Sequence, residues 1–190
     1  DRRVVITGMG AVTPIGNNVN EFWSNAKEGK LGIDFIKLLD NDLLDVKIAG
    51  EVKNFDPESV ISKKECKRLD RFEQFGLYAA DEAIKNSGID LEKEDLDRIG
   101  VSIGSGIGGL GTIENDCNKL YTGASKRVSP FFVPMAIVNL VAGNVAIKYG
   151  LRGPCTSVVT ACATGTNSIG DATRLIKHGY VDVMLAGGAE

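Results

Sequence analysis

The feature that most constrains the fold is a run of about forty residues that carries almost no charge. Between Ser129 and Gly170 the charged side chains are Lys148 and Arg152 alone. Charged residues make up 25% of the whole chain, so a stretch this poor in charge is expected to lie in a core or an interface. Cys162 falls within it, and we therefore expect this thiol to lie inside the protein.

Strand-like runs alternate with helical runs along the chain, which is typical of an α/β fold with helices on the faces of a sheet. Predicted strands cover residues 4–9, 99–103, 157–160 and 181–185. Predicted helices cover residues 18–28, 71–86, 112–121, 134–150 and 162–178. Several are followed by a glycine stop, Gly88 among them. Asn18 with Glu21 and Ser62 with Glu65 resemble capping boxes. The helix over 71–86 carries Phe72, Phe75, Ala79 and Ala83 on one face at helical spacing. Residues 30–60 are polar and mixed, and we expect loops and short elements there.

Composition excludes several classes of protein. The chain has 190 residues, which favours one domain or part of a larger one. Its net charge of −3 gives no electrostatic reason for binding nucleic acid or an anionic membrane. No apolar run approaches the roughly 18 residues that a membrane span needs.

The four cysteines, Cys66, Cys117, Cys155 and Cys162, form no C-x-x-C pair, and the chain has one histidine. This pattern does not suit a zinc site. The N-terminus does not resemble a signal peptide, so we expect a cytoplasmic protein with reduced thiols.

Two sequence motifs match known functional sites, but the residues around them exclude both functions. Gly104, Gly106 and Gly109 fit G-x-G-x-x-G, but a dinucleotide site also needs an acidic residue about 20 positions further on, and residues 124–130 contain none. Gly100 to Gly104 fits G-x-S-x-G, but Ser102 lies in mid-strand, whereas a nucleophile elbow needs the serine on the turn.

Cys162 is the strongest candidate for a nucleophile. It follows a strand-like run and begins a helix among small residues, which leaves room for a substrate. The positive end of the helix dipole favours a thiolate, and N–H groups at a helix start can bind an oxyanion. A buried structural cysteine at a tight strand–helix junction remains the alternative.

His178 is not expected to act as the base for Cys162. It lies 16 residues along the same predicted helix, or about 24 Å at 1.5 Å per residue. A place beside the helix C-terminus suits it better. If Cys162 is a nucleophile, its proton-transfer partners are therefore absent from this chain.

Beyond these local arguments, the sequence resembles the β-ketoacyl synthases, the condensing enzymes of fatty acid and polyketide synthesis. The resemblance rests on their active-site signature, which here reads Gly153, four residues, Val158, two residues, Ala161-Cys162-Ala163-Thr164-Gly165, three residues, Ile169. Further similar segments occur in the family's order: residues 3–10, Thr13-Pro14-Ile15-Gly16, Gly104 to Gly109, Ser129 to Pro134, Tyr149 to Pro154 and Ala186 to Glu190. The resemblance covers essentially the whole chain.

The resemblance implies a thiolase-like α/β fold in which residues 1–190 form the N-terminal half, with a five-stranded mixed sheet flanked by helices. It implies that Cys162 accepts an acyl chain from acyl-carrier protein, that Ile107 and Phe132 border the acyl channel, and that the protein is a homodimer. No metal or redox cofactor is implied, because the carrier's phosphopantetheine holds the substrate. The family's two catalytic histidines and its lysine belong to the second half, so we expect the 190 residues alone to be inactive.

Three alternatives remain open at this point. A thiolase-like enzyme would act on coenzyme A esters. A non-catalytic dimerisation or chain-length-control subunit of a polyketide system would lack the nucleophilic cysteine, so Cys162 counts against it. A cysteine-dependent hydrolase would release free acid without consuming a malonyl group.

Overall fold

The computed structural model describes residues 2–39 and 44–190. The helices are α1 (Val19–Lys27), α2 (Lys63–Cys66), α3 (Arg71–Ser87), α4 (Leu110–Tyr121), α5 (Phe132–Ala136), α6 (Leu140–Tyr149) and α7 (Thr164–Lys177). The strands are β1 (Asp34–Phe35), β2 (Ile48–Ala49), β3 (Ile99–Gly104), β4 (Cys155–Thr156) and β5 (Val183–Gly188). Single 3₁₀ turns cover Pro57–Ser59, Leu96–Arg98 and Ala161–Ala163. The expected α/β alternation is confirmed.

The central sheet has the order β4-β3-β5, and both pairings are parallel. A separate antiparallel ribbon joins β1 to β2. The expected five-stranded mixed sheet is therefore wrong for the described residues, which form a three-stranded parallel sheet and this ribbon. Strand β5 pairs with β3 over its whole length, from Ile99 opposite Val183 to Gly104 opposite Gly188.

The strand expected at residues 4–9 does not form, because this segment lies on helix α3 instead of a sheet. A Cβ atom at Gly8 or Gly10 would overlap backbone carbonyl oxygens of α3. The N–H groups of Met9 and Ala11 donate to the side chains of Asn86 and Glu82 on the same helix. The Met9 contact thus uses one backbone donor of this segment that a sheet partner would need.

Three other elements differ in position or extent from the prediction. The strand placed at residues 157–160 is found two residues earlier, as β4, and the strand placed at 181–185 is found at Val183–Gly188. The helix expected from Pro134 to Gly150 is two helices, because Ile137 is extended (ψ 138°) and the Ala136 carbonyl accepts from Gly109 N–H instead of from the next helical turn.

Strand β3 is the centre of the core and is buried along its whole length. Its residues Ile99, Val101 and Ile103 belong to one hydrophobic cluster with side chains of α3 and α6. The alternate residues of a strand face the opposite side, where Gly104 approaches Thr164 at the start of α7. Helices α6 and α7 therefore cover opposite faces of the sheet.

Helix α3 and its left-handed stop at Gly88 are confirmed, and Asp70 is its N-cap. The buried face of the helix is offset from the expected one. Phe72 is buried as expected, whereas Phe75 and Ala79 are half-buried. The other buried positions are Glu73, Gly76, Leu77 and Ala80. Glycine at 76 allows the close approach of Val141 on α6, which a Cβ would overlap.

The sheet begins beside a cluster of opposite charges. The carboxylate of Asp182 accepts hydrogen bonds from Arg98 and from Arg2, which ties the start of the chain to the start of β5. Both arginine bonds lower the pKa of Asp182 to about 2, with Arg98 the larger influence.

The stretch with few charges is not uniformly buried, which corrects the first expectation. Val141 and Val145 are fully buried on α6, but Ile147 is 78% exposed on the same helix. Cys162 is also exposed, so the expectation that its thiol lies inside the protein is wrong for this chain. Within the described ranges no helix is long and apolar enough to cross a membrane.

Candidate active site

Cys162 lies on a sharp turn between the sheet and helix α7. After β4 the chain reaches Thr160 and then Ala161, whose φ of 51° is in the left-handed region. One 3₁₀ turn over Ala161–Ala163 carries the thiol, and α7 begins at Thr164. A non-glycine residue in this conformation is strained and persists where surrounding contacts enforce it. We call residues 160–164 the elbow.

Hydrogen bonds to Thr160 and Thr164 fix the elbow. Thr160 N–H donates to Thr164 Oγ1 at 3.0 Å, and Asn167 Nδ2 donates to Thr160 Oγ1 at 3.0 Å. The N–H groups of Ala163 and Thr164 donate to the carbonyls of Thr160 and Ala161. The N–H groups of Ala161 and Cys162 precede this first hydrogen-bonded turn, so they are the candidates for binding an oxyanion there.

A glycine-rich turn, residues 105–109, lies against the elbow. Gly104 at the end of β3 has no room for a Cβ, which would overlap the Val158 carbonyl oxygen. A Cβ at Gly106 would come within 3.4 Å of Ala161 Cα. The close approach therefore depends on Gly104, whereas a Cβ at Gly106 would make only an ordinary contact with Ala161.

The same turn packs on its other side against helix α5. A Cβ at Gly108 or Gly109 would overlap a backbone carbonyl oxygen of α5, and Gly109 N–H donates to Ala136 O at 3.0 Å. Ile107 in this turn is 58% exposed, and Phe132 in the first turn of α5 is half-buried. The structure thus brings together the three segments that carry Cys162, Ile107 and Phe132, through backbone contacts.

The carboxylate of Glu190 holds the glycine-rich turn. It accepts hydrogen bonds from Gly106 N–H at 2.6 Å, Ile107 N–H at 3.1 Å and Ser105 Oγ at 3.0 Å. Sequence reasoning missed this residue. Its place at the end of the family-like segment Ala186 to Glu190 could have identified it. Parallel strands β3 and β5 end at the same edge of the sheet, so the residue after β5 lies near the turn after β3.

Glu190 also explains why the G-x-G-x-x-G motif does not form a dinucleotide site. In such a site the N–H groups of the glycine turn face a pyrophosphate. Here those of Gly106 and Ile107 donate to Glu190, and that of Gly108 donates to Ser105 Oγ. The second motif is excluded by position, since Ser102 is fully buried within β3.

The four cysteines differ in their surroundings. Cys155 and Cys162 are exposed residues, whereas Cys66 and Cys117 are half-buried. Burial raises the pKa of the Cys66 thiol, with smaller influences from nearby carboxylates such as Glu58, and partial burial of its sulfur raises the pKa of Cys155.

His178 caps the far end of α7, as predicted, and its ring packs edge-on against Tyr180. Across the described parts of the chain, no group of three metal-binding side chains is placed to hold a metal ion.

Comparisons with known proteins identify relatives of this chain. A family model for the β-ketoacyl synthase N-terminal domain matches residues 1–190. The 3-oxoacyl-[acyl-carrier-protein] synthase 2 of Staphylococcus aureus (strain COL) is 50% identical over 190 residues, which is 100% of this chain and 46% of that protein. The chain thus spans about half the length of the curated relatives it matches.

Solved structures share the fold. The ishigamide ketosynthase/chain length factor superposes with a TM-score of 0.90 at 26% identity, over 100% of this chain and 47% of that one. The complex AntDE:AntF, a type II polyketide synthase acyl-carrier protein with its ketosynthase, has a TM-score of 0.82 at 26% identity, over 99% and 50% of the two chains. The expected thiolase-like fold is therefore confirmed, with the smaller sheet described above.

Proposed function

This chain belongs to the β-ketoacyl synthase family, and from that premise we propose that the whole protein is a condensing enzyme of fatty acid synthesis, a 3-oxoacyl-acyl-carrier-protein synthase 2. The observation that carries the proposal is the exposed Cys162 on its strained elbow, within the family's active-site signature. Sequence identity supports the fatty acid class over the polyketide class, since it is 50% to the Staphylococcus aureus 3-oxoacyl-[acyl-carrier-protein] synthase 2 and 26% to the ketosynthase of the type II polyketide synthase complex.

The first stage of the proposed reaction is transfer of an acyl chain to Cys162. The thiolate attacks the carbonyl carbon of the acyl-carrier-protein thioester, a new C–S bond forms, and the carrier's thiolate leaves and takes up a proton. The N–H groups of Ala161 and Cys162 would stabilise the oxyanion of the intermediate. A residue in an exposed position suits this stage, because the carrier must bring its arm to the sulfur.

The second stage is the decarboxylative condensation. Malonyl-acyl-carrier protein loses CO₂, and its carbanion attacks the acyl-cysteine carbonyl. The C–S bond to Cys162 then breaks, which restores the thiolate and releases a β-ketoacyl product two carbons longer. Donors near the malonyl carbonyl would stabilise the enolate. The family's two catalytic histidines and its lysine belong to the half outside residues 1–190, so we place the N-terminal catalytic domain at 1–190.

The acyl chain would lie along the glycine-rich turn and helix α5. Ile107 and Phe132 are proposed to border its channel. What supports this is that Ile107 is exposed and that α5 packs directly on the turn. A channel of this kind needs no metal or redox cofactor, and the substrate's own phosphopantetheine serves as its carrier.

Acyl-carrier protein and a second copy of the chain are the proposed partners. The carrier is supported by the structural neighbour that is a complex of a ketosynthase with its acyl-carrier protein. The homodimer is supported by β5, which pairs on one side with β3 and lies at an edge of the sheet, because an open edge is a site for pairing with another chain. Four free thiols support a cytoplasmic location.

The test compares two cysteine variants of the full-length enzyme. Cys162→Ala is expected to abolish condensation of acyl- and malonyl-acyl-carrier protein, because the acyl-enzyme cannot form. Cys155→Ala is the matched control, since Cys155 is also exposed and lies only seven residues away, and it should retain activity within about twofold. An acyl thioester should protect Cys162 from iodoacetamide while Cys155 stays reactive.

Three results would overturn the proposal. Condensation by the Cys162→Ala variant would show that another nucleophile carries the acyl group. Release of free acid without consumption of the malonyl substrate would favour a hydrolase. Turnover with acyl-coenzyme A but not with acyl-carrier protein would favour a thiolase-like enzyme.

A further inference from the structure

The glycine-rich turn beside Cys162 depends on one side chain for its shape. Three of its groups donate to the carboxylate of Glu190: the hydroxyl of Ser105 and the N–H groups of Gly106 and Ile107. Hydrogen bonds to a charged acceptor are stronger than those between neutral groups. The next residue is held indirectly, because Gly108 N–H donates to the same Ser105 hydroxyl.

Other contacts hold only the end of the turn, where Gly108 and Gly109 pack on α5 and Gly109 N–H donates to Ala136 O at 3.0 Å. Glycines have no side chains with which to pack, and Gly108 has a φ of 82°. The helix that follows, α4, is held separately, because the N–H and the hydroxyl of Thr112 in its first turn donate to the Asp70 carboxylate at 3.1 Å and 2.6 Å. Backbone pairing ends just before the turn, where Ala189 N–H donates to Gly104 O at 3.0 Å. At Gly106 and Ile107, before the contact with α5 begins, the carboxylate of Glu190 is therefore the group that holds the backbone.

The backbone of Ile107 is held by a hydrogen bond, whereas its side chain is exposed. Its N–H is held at 3.1 Å from Glu190 Oε1, while the residue as a whole is 58% exposed. Its Cα position is thus set by Glu190, and its side chain remains available to a ligand. An apolar side chain on a fixed backbone discriminates between acyl chains by how much space it leaves, whereas a mobile one adapts to each.

We propose that Glu190 is a positioning residue that sets acyl chain selectivity by fixing the backbone of Gly106 and Ile107. The proposal rests on the condensing function proposed above and goes beyond it in assigning selectivity to a residue that need not touch the acyl chain. Successive N–H groups in a glycine turn form a concave site for an anion, and here the anion is part of the chain itself.

The test uses Glu190→Gln in the full-length enzyme, with Glu92→Gln, an exposed glutamate in a loop, as the matched control. The amide keeps the size of the side chain but removes the charge and one acceptor oxygen. Condensation rates are measured over a series of acyl-acyl-carrier proteins. We expect the ratio of kcat/KM between the best and the poorest chain length to fall about tenfold, while iodoacetamide alkylates Cys162 at an unchanged rate.

Hydrogen exchange of the full-length protein gives a readout that does not depend on activity. The amides of Gly106 and Ile107 should exchange about tenfold faster in Glu190→Gln, because their acceptor is weakened. The control variant should leave both amides unchanged. Should Glu190→Gln not fold, Ser105→Ala carries the same test, since it removes one of the three donors and the support of Gly108.

An unchanged selectivity profile in a folded Glu190→Gln enzyme would overturn this proposal and leave the condensing function standing. A uniform loss of activity at every chain length, with slower alkylation of Cys162, would also overturn it, because that pattern indicates a general structural role. If the wild-type enzyme does not condense acyl and malonyl thioesters at all, the proposed function fails, and the exchange rates still report whether Glu190 holds the turn.

Discussion

Glu73 should make this protein less stable as the pH rises from about 4.5 towards neutrality. It is a fully buried carboxyl between helices α3 and α6. Burial, the largest influence, raises its pKa to about 7, and the nearby charge of Asp70 acts in the same direction. Two hydrogen bonds oppose this rise, from Asp70 N–H at 2.8 Å and from Asn144 Nδ2 at 2.9 Å.

The magnitude follows from the two pKa values. The ordinary value is 4.5 and the folded value is about 7, so between them the folded state holds a proton that the unfolded chain has released. Stability therefore falls as the pH rises across this window. At about 1.4 kcal/mol per pH unit, the free energy of unfolding should drop by about 3 kcal/mol between pH 4.5 and pH 8 on account of this group.

Replacing Glu73 by Gln removes the charge and keeps the shape. The amide oxygen can accept from Asp70 N–H, and its NH₂ can donate to the Asn144 carbonyl oxygen once that side chain turns over. We expect Glu73→Gln to match wild type at pH 5 and to be more stable by up to about 3 kcal/mol at pH 8. The measurement is urea unfolding of the full-length protein followed by circular dichroism, with Glu92→Gln as the exposed control.

Two results would refute this reasoning. If Glu73→Gln loses stability with the same slope as wild type between pH 5 and pH 8, another group is responsible for the titration. If the variant is less stable than wild type at pH 8, the hydrogen bonds to the carboxylate outweigh its burial, and the sign of the argument is wrong.

Three further predictions follow from single contacts. Ile107→Phe in the full-length enzyme should shorten the accepted acyl chains by crowding the channel, and an unchanged product profile would contradict its placement. Gly104→Ala should prevent recovery of folded protein because its Cβ overlaps a backbone carbonyl, whereas Gly187→Ala, with open space around it, should be tolerated; equal yields would count against this. Asp182→Asn should lower the Tm at pH 7, and because this pKa is depressed to about 2, the difference from wild type should shrink below pH 4 in thermal scans; a constant difference would disagree.

Elements defined by local chemistry were predictable from the sequence. The side-chain caps at Asn18 and Ser62 and the left-handed stop at Gly88 are found where the sequence places them. Strand β3 was equally clear, because its alternating aliphatic residues fit a buried strand and no other element. In these cases the residues that decide the conformation lie within a few positions of one another.

Elements that depend on distant partners were not predictable. Residues 4–9 have the composition of a buried strand, yet the N–H group of Met9 and that of the nearby Ala11 donate to side chains of α3. The break at Ile137 reflects a hydrogen bond from Gly109, almost thirty residues away. At the site, the place of Cys162 at a helix start could be predicted. The positive φ of Ala161 could not, because alanine does not favour that conformation.

The hydrogen bonds from the glycine-rich turn to Glu190 set the order in which these segments fold during synthesis. Gly106 precedes Glu190 by 84 residues, and a ribosome adding about 5–20 residues per second needs about 4–17 s to make that interval. For this time the nascent turn has strand β3 behind it and no carboxylate to hold it. The glycine-rich turn therefore takes its final shape only after the elbow has been made and β5 has paired with β3. A pause in translation between residue 106 and residue 190 would leave the turn unformed.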